Sequence, residues 1–170
     1  MSTLEQLLDR EAIRDCLYRY CRGIDLADEQ ALRSAYWEDA HDCHGPYDGP
    51  ASGFIEWALG ALKHFDCSVH QITNMLIELD SNRAAVESKF NAFQRSPDAA
   101  GTLRQVLILG RYADLFEKRE GQWKIARRTV IYDWVEEQPC ATLPAAERFG
   151  ARQPIGSRWP DDEIYKLLNT

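Results

Sequence analysis

The chain has 170 residues, 45% of them hydrophobic, enough for one well-filled core and a single domain. Its formal net charge of −7 excludes the basic stripe of a nucleic-acid surface and any attraction to anionic lipid. No apolar run reaches the length of a membrane span, and Met1-Ser2-Thr3-Leu4-Glu5 does not open a secretory leader, so a cytoplasmic address is expected.

Leu8, Ile13, Leu17, Tyr20 and Ile24 recur at helical spacing, with charged residues between them, and predict an amphipathic first helix. Gly23 is placed to end that helix, which would leave Asp25 just beyond it. Asp28 is suited to cap a second helix through Ala31, Leu32, Ala35 and Trp37. After the loop His44-Gly45-Pro46-Tyr47-Asp48-Gly49-Pro50, Ser52 is placed to cap a third, which carries Phe54, Ile55, Trp57 and Leu62.

From Val69 onward the pattern changes to long strands, over 69–79, 84–94, 103–117 and 123–134. Asp80-Ser81-Asn82 and Glu120-Gly121 supply tight turns, and Ser96 to Gly101 a longer one. Helices first and an antiparallel sheet afterwards make an α+β architecture. Strands this long must curl, so helices packed at one end would close a cone. Residues 1–135 hold this domain. Residues 136–170 read as its C-terminal extension, irregular around Pro139, Pro144 and Pro154 and ending in a short helix after Pro160.

The five cysteines show no CxxC pair and read as reduced, packed thiols. His41-Asp42-Cys43-His44 invites a metal reading. Strand alternation, however, sends His41 and Cys43 to one side and His44 to the other, and no zinc spacing is matched. Neither a metal nor a cofactor is expected.

Asp25, His70 and Arg128 offer a carboxylate, an imidazole and a fixed cation, the parts needed to move a proton and stabilise developing charge. Taken alone, Asp25 reads more readily as a turn or capping residue and His70 as a satisfied core or rim histidine than as catalysts. Arg128 shares its strand face with Ala126, Val130, Tyr132 and Trp134, whereas Arg127 faces the other way beside Trp123 and Ile125. Both faces are apolar, so alternation leaves open which arginine points inward.

A resemblance runs from about Leu7 to Trp134. Its residues are Arg10-Glu11-Ala12-Ile13, Tyr20 with Gly23-Ile24-Asp25, and Tyr36-Trp37-Glu38-Asp39-Ala40. His70 with Thr73-Asn74, Gly110-Arg111-Tyr112, and Trp123-Lys124-Ile125 through Arg128-Thr129-Val130 complete it. These segments resemble the SnoaL-like branch of the nuclear-transport-factor-2-like superfamily, which includes scytalone dehydratases and hexachlorocyclohexane dehydrochlorinases. The resemblance implies a cone-shaped, cystatin-like α+β fold with three N-terminal helices and a curved antiparallel or mixed sheet. It also implies a homotrimer.

In the dehydrochlorinases of that branch an aspartate orients a base histidine, and an arginine after the tryptophan strand lines the same pocket. By resemblance those roles fall on Asp25, His70 and Arg128. Tyr20, Trp37, Asn74, Phe90, Tyr112 and Tyr132 are the candidate substrate-binding residues, within a wider aromatic set of Phe54, Phe65, Phe93 and Trp134. The expected function is a cofactor-independent, dehydratase-like lyase acting on a small hydrophobic ring compound. The alternatives are an isomerase or cyclase of polyketide or steroid type, and the non-catalytic small subunit of a ring-hydroxylating dioxygenase.

Overall fold

Thr3 caps the first helix, α1 (Leu4–Leu26): its side chain accepts from the Gln6 N–H, and the Gln6 side chain accepts in return from the Thr3 N–H. The structure, a computed structural model, describes residues 3–140 and 143–168. Met1 and Ser2 of the N-terminal stretch and residues 141–142 of the extension lie outside the described residues. Ile13, Cys16, Leu17, Tyr20 and Ile24 form the buried stripe of α1. Burying a side chain such as Leu17 stabilises by about 1.5–3 kcal/mol, so this stripe fixes how the helix docks.

Gly23 does not end the helix. It lies within α1, where a Cβ would stand 2.6 Å from the Leu32 backbone nitrogen. The missing side chain lets the second helix, α2 (Glu29–Ser34), cross in contact with the first. The helix ends instead at Ala27, which takes up the left-handed conformation at φ 53°. Asp25 therefore belongs to the last turn of a helix, on a rigid support. Gly23→Ala is expected to destabilise the protein by about 1–3 kcal/mol through overpacking. Thermal melting checks this, and an unchanged Tm would show that α2 moves aside freely.

Asp28 caps α2 as expected, one oxygen accepting from Ala31 N–H at 2.9 Å and the other from the Tyr165 hydroxyl at 2.7 Å. The chain leaves the helix before Trp37. Strand β1 (Tyr36–His44) begins there and pairs with the short β2 (Tyr47–Pro50). Helix α3 (Ala51–Leu62) follows with Pro50 at its N-cap position and no side-chain cap, so Ser52 does not cap it. The long strands are β3 (Cys67–Asp80), β4 (Arg83–Pro97), β5 (Leu103–Arg119) and β6 (Gln122–Pro139).

The sheet order is β2-β1-β6-β5-β4-β3. All neighbours are antiparallel except β1 and β6, so the sheet is mixed and its two edges stay unpaired rather than closing into a barrel. Three bulges distort the long strands, and each moves the following side chains to the opposite face. One lies at Thr73 and Asn74, which together oppose Lys89. A second adds Ala126 between Ile125 and Arg127, and a third adds Asp133 between Tyr132 and Trp134. Simple alternation misreads β6 for this reason. Trp123 and Ile125 share the inner face with Arg128 and Val130, and Arg127 is exposed.

β6 continues to Pro139, beyond the expected end of the strand, and the extension adds α4 (Ala145–Phe149) and α5 (Glu163–Leu168). This segment folds back on the helices. Trp159 N–H donates to the Leu26 carbonyl at 2.9 Å, and Arg158 Nη2 donates to the carbonyls of Leu62 and Phe65, each at 2.6 Å. Among the described residues no helix is long and apolar enough to cross a membrane.

Candidate active site

The end of α1 and the start of β3 meet at two side chains far apart in sequence. Asp25 Oδ1 accepts from His70 Nδ1 at 2.7 Å, and Asp25 Oδ2 accepts from the His70 backbone N–H at 2.8 Å. Ser68 Oγ adds a longer contact to Oδ1 at 3.4 Å. One carboxylate thus holds both the backbone and the ring of the same histidine. The side chains are 7% and 18% exposed for His70 and Asp25. A carboxylate only accepts, so Nδ1 carries a hydrogen, and in the neutral ring Nε2 is the nitrogen that presents a lone pair. Among the described residues Nε2 has no protein partner.

His70 lines a cavity of about 220 Å³ between the helices and the concave face of the sheet. A cavity of roughly 150 Å³ holds benzene, so this one suits a substituted ring. Its walls are Tyr20 and Ile24 from α1, Phe54, Trp57, Ala58 and Ala61 from α3, and Phe90, Ala92, Ile108, Tyr112 and Tyr132 from the sheet. Leu62, Phe65 and Gln94 complete the rim together with His44 and Pro46. Larger depressions exist on the surface but contain neither histidine of this cavity.

Arg128 is fully buried, one layer beneath that wall. Its Nε and Nη2 donate to the two oxygens of Asp114 at 2.8 and 2.7 Å. Its Cζ stands 4.0 Å from the Tyr112 ring centre and 4.1 Å from that of Tyr20, so the guanidinium is clamped between two rings that face the cavity. Nη1 has no hydrogen-bond partner. Burial opposes the charge, but the Asp114 carboxylate outweighs it and holds the guanidinium charged above its ordinary range. Burial also pushes the hydroxyls of Tyr20, Tyr36 and Tyr112 up, against the pull of Arg128, so all three remain protonated at neutral pH.

The expected site residues divide by position. His70, Tyr20, Phe90, Tyr112 and Tyr132 stand on the cavity wall, and Asp25 backs His70. Arg128, expected on the same wall, is covered by tyrosine rings. Asn74 is exposed, because the bulge in β3 gives its place on the inner face to Met75. Trp37 lies outside the cavity: its Nε1 donates to the Glu117 carbonyl, and its ring carries Arg119 and Lys124. Of the wider aromatic set, Phe54 and Phe65 line the cavity, while Phe93 and Trp134 do not.

Sequence reading missed a second polar pair. His44 Nδ1 donates to Asp42 Oδ1 at 3.2 Å, and Asp42 Oδ2 accepts from the Tyr36 hydroxyl at 2.6 Å. The signal lies in the spacing: Asp42 and His44 are two apart on one strand and must share a face. His41 leaves the other face and approaches Asp48.

The match to known proteins follows this architecture. Residues 5–129, most of the chain, match the family model of the SnoaL-like domain. The chain belongs to the SnoaL-like family. Hexachlorocyclohexane dehydrochlorinase 1 of Sphingobium indicum is 30% identical to this SnoaL-like chain over 135 residues, covering 75% of the chain and 83% of that enzyme. A crystal structure of a type 2 hexachlorocyclohexane dehydrochlorinase superposes with a TM-score of 0.72 at 23% identity, covering 84% of this chain and 95% of that one. A candidate scytalone dehydratase from Novosphingobium aromaticivorans gives a TM-score of 0.69 at 22% identity, covering 79% and 91%. At that level of identity the structures attest the fold, which is the cone expected for the SnoaL-like branch.

Proposed function

We propose that this SnoaL-like protein is a cofactor-independent, dehydratase-like lyase acting on a small hydrophobic ring substrate. The observation that carries the reading is the Asp25–His70 contact at the wall of an aromatic cavity. His70 Nε2 takes a proton from carbon. The C–H electron pair becomes the new C=C bond, and the leaving group departs with the electron pair of its own bond. Asp25, bonded to Nδ1–H, keeps the ring in the reactive tautomer and stabilises the imidazolium that forms. Arg128 does not touch the substrate; its charge, clamped under Tyr20 and Tyr112, favours negative charge growing above those rings. The protonated hydroxyls of the cavity tyrosines supply donors for the leaving group. Sequence relatives named as dehydrochlorinases, themselves elimination enzymes, support the same class.

Proton abstraction is tested without knowing the natural substrate. The wild-type protein is incubated with the ring ketone 2-tetralone in D2O, and exchange of the α C–H is followed by NMR. The protein is expected to exceed free imidazole at equal concentration. Equal rates would overturn the proposal.

The same reading includes a homotrimer. Val69, Phe93 and Leu107 lie side by side across β3, β4 and β5, on the outer face of the sheet, with Leu109 and Trp134 in the next rows. Val69, Leu107 and Trp134 are 41%, 39% and 57% exposed, an apolar strip of the kind that marks an interface. Sedimentation at micromolar concentration is expected to give three times the chain mass. A monomer would refute the assembly.

A further inference from the structure

His44 reaches the cavity from the opposite end of the sheet to His70. β3 is an edge strand and β1 lies one strand from the other edge, so only the curl of the sheet brings both rings to one space. His44 is also held in place, by a ring stack and a carboxylate. Its ring stacks on Phe54 with centroids 4.5 Å apart and planes 21° from parallel. Its Nδ1 is bound to Asp42, which is itself fully buried and held on its other oxygen by Tyr36. The chain thus buries a carboxylate and a tyrosine hydroxyl behind this one ring. Unlike Asp25, this carboxylate grips no backbone group of the histidine; its visible effect is on the ring alone.

The proton inventory fixes what His44 can offer. Asp42 accepts, so Nδ1 carries the hydrogen and Nε2 is an acceptor. Burial holds the imidazole below its ordinary pKa, against the pull of Asp42, so the ring is neutral near pH 7. Among the described residues nothing donates to Nε2. A neutral, ring-stacked acceptor in an aromatic cavity fits a donor on the ligand. It also disfavours a ligand that lacks one, because a buried acceptor would be left unpaired.

We infer that His44 is a specificity residue whose Nε2 accepts a hydrogen bond from a substrate hydroxyl, so that the ligand is a cyclic alcohol or phenol. The hydroxyl binds at the β1 end of the cavity and the carbon acid lies at the β3 end, beside His70. This rests on the lyase reading for the second half only; recognition of the hydroxyl stands on the geometry of His44.

Binding separates the two. The probes are 2-naphthol, naphthalene and 2-methoxynaphthalene, one smaller and one larger than naphthol and both without a donor. Each is titrated calorimetrically at pH 7 into the wild-type protein, His44→Phe and His70→Ala. The phenylalanine keeps the stack on Phe54. The wild type is expected to prefer naphthol by about tenfold, the worth of one buried hydrogen bond. His44→Phe should lose that preference, and His70→Ala should keep it while losing proton exchange with 2-tetralone. No preference in the wild type, or a preference that disappears with His70 and survives without His44, overturns the inference. In the wild type, a 15N spectrum must also show the His44 Nε2 resonance moving on addition of naphthol and not of naphthalene; an unmoved resonance overturns the inference even where the phenylalanine variant fails to fold. Loss of tetralone exchange in every protein, with the naphthol preference intact, would sink the lyase reading alone.

Discussion

His70→Ala is expected to lower the rate of proton exchange from 2-tetralone by about 10²–10⁴-fold, the usual contribution of a general base. The fold should survive. Asp25 loses the ring but keeps the His70 backbone N–H and the Ser68 hydroxyl, so its oxygens are not left bare in the interior. The stability cost is one hydrogen bond, about 0.5–1.5 kcal/mol, and a fall in Tm of a few degrees for a chain of this length. NMR exchange rates and thermal melting measure the two effects separately. A variant that retains the wild-type rate removes His70 from the reaction. A variant that melts far below the wild type makes the pair a structural latch between α1 and β3. Asp25→Asn sharpens the distinction, since an amide can replace one accepting oxygen but not both, and the ring loses its fixed tautomer.

Asp114→Ala is expected to cost more stability than any other single change near the cavity, about 3–5 kcal/mol. Arg128 and Asp114 are both fully out of water and bonded twice to each other. Removing the carboxylate strands a guanidinium that cannot shed its charge. At roughly 2–4 °C per kcal/mol for a domain of this size, Tm should fall by about 10 °C. The double change Asp114→Leu with Arg128→Met should regain most of that loss, because a buried ion pair and an apolar replacement of similar volume come out nearly even. It should also exchange protons more slowly, because the cation under Tyr20 and Tyr112 is gone. A single variant within about 1 kcal/mol of the wild type would show that water or another group reaches Arg128, contrary to its burial.

Much of this molecule was open to reading from the chain alone. Helical spacing from Ile13 to Ile24, the Asp28 cap and the four long strands all stand where periodicity and turn residues put them, whereas Leu8, expected on the same buried stripe, is 61% exposed. The errors gather at places where the determining contact is distant. Gly23 looks like a helix terminator until Leu32 is seen against it. Trp37 follows helical spacing, but the β1–β6 pairing takes it into a strand. The bulges at Thr73–Asn74 and at Ala126 change which face follows, which moves Asn74 outward and settles the choice between Arg127 and Arg128. Nothing in a single strand's composition announces an extra residue, since a bulge is defined by its partner.

The sequence by itself determined the three N-terminal helices, the four long strands and the inventory of titratable groups, because these follow from local spacing and side-chain chemistry. It did not reveal β1 and β2, which come before α3 where a helix end and a loop were expected. Only the tertiary structure decided that Asp25 grips His70, that Arg128 lies under the cavity rather than in it, and that His44 faces the same space. Those facts depend on the curl and register of a sheet whose partners are as distant in sequence as Tyr36 and Ile125, and local preference carries no information over that distance.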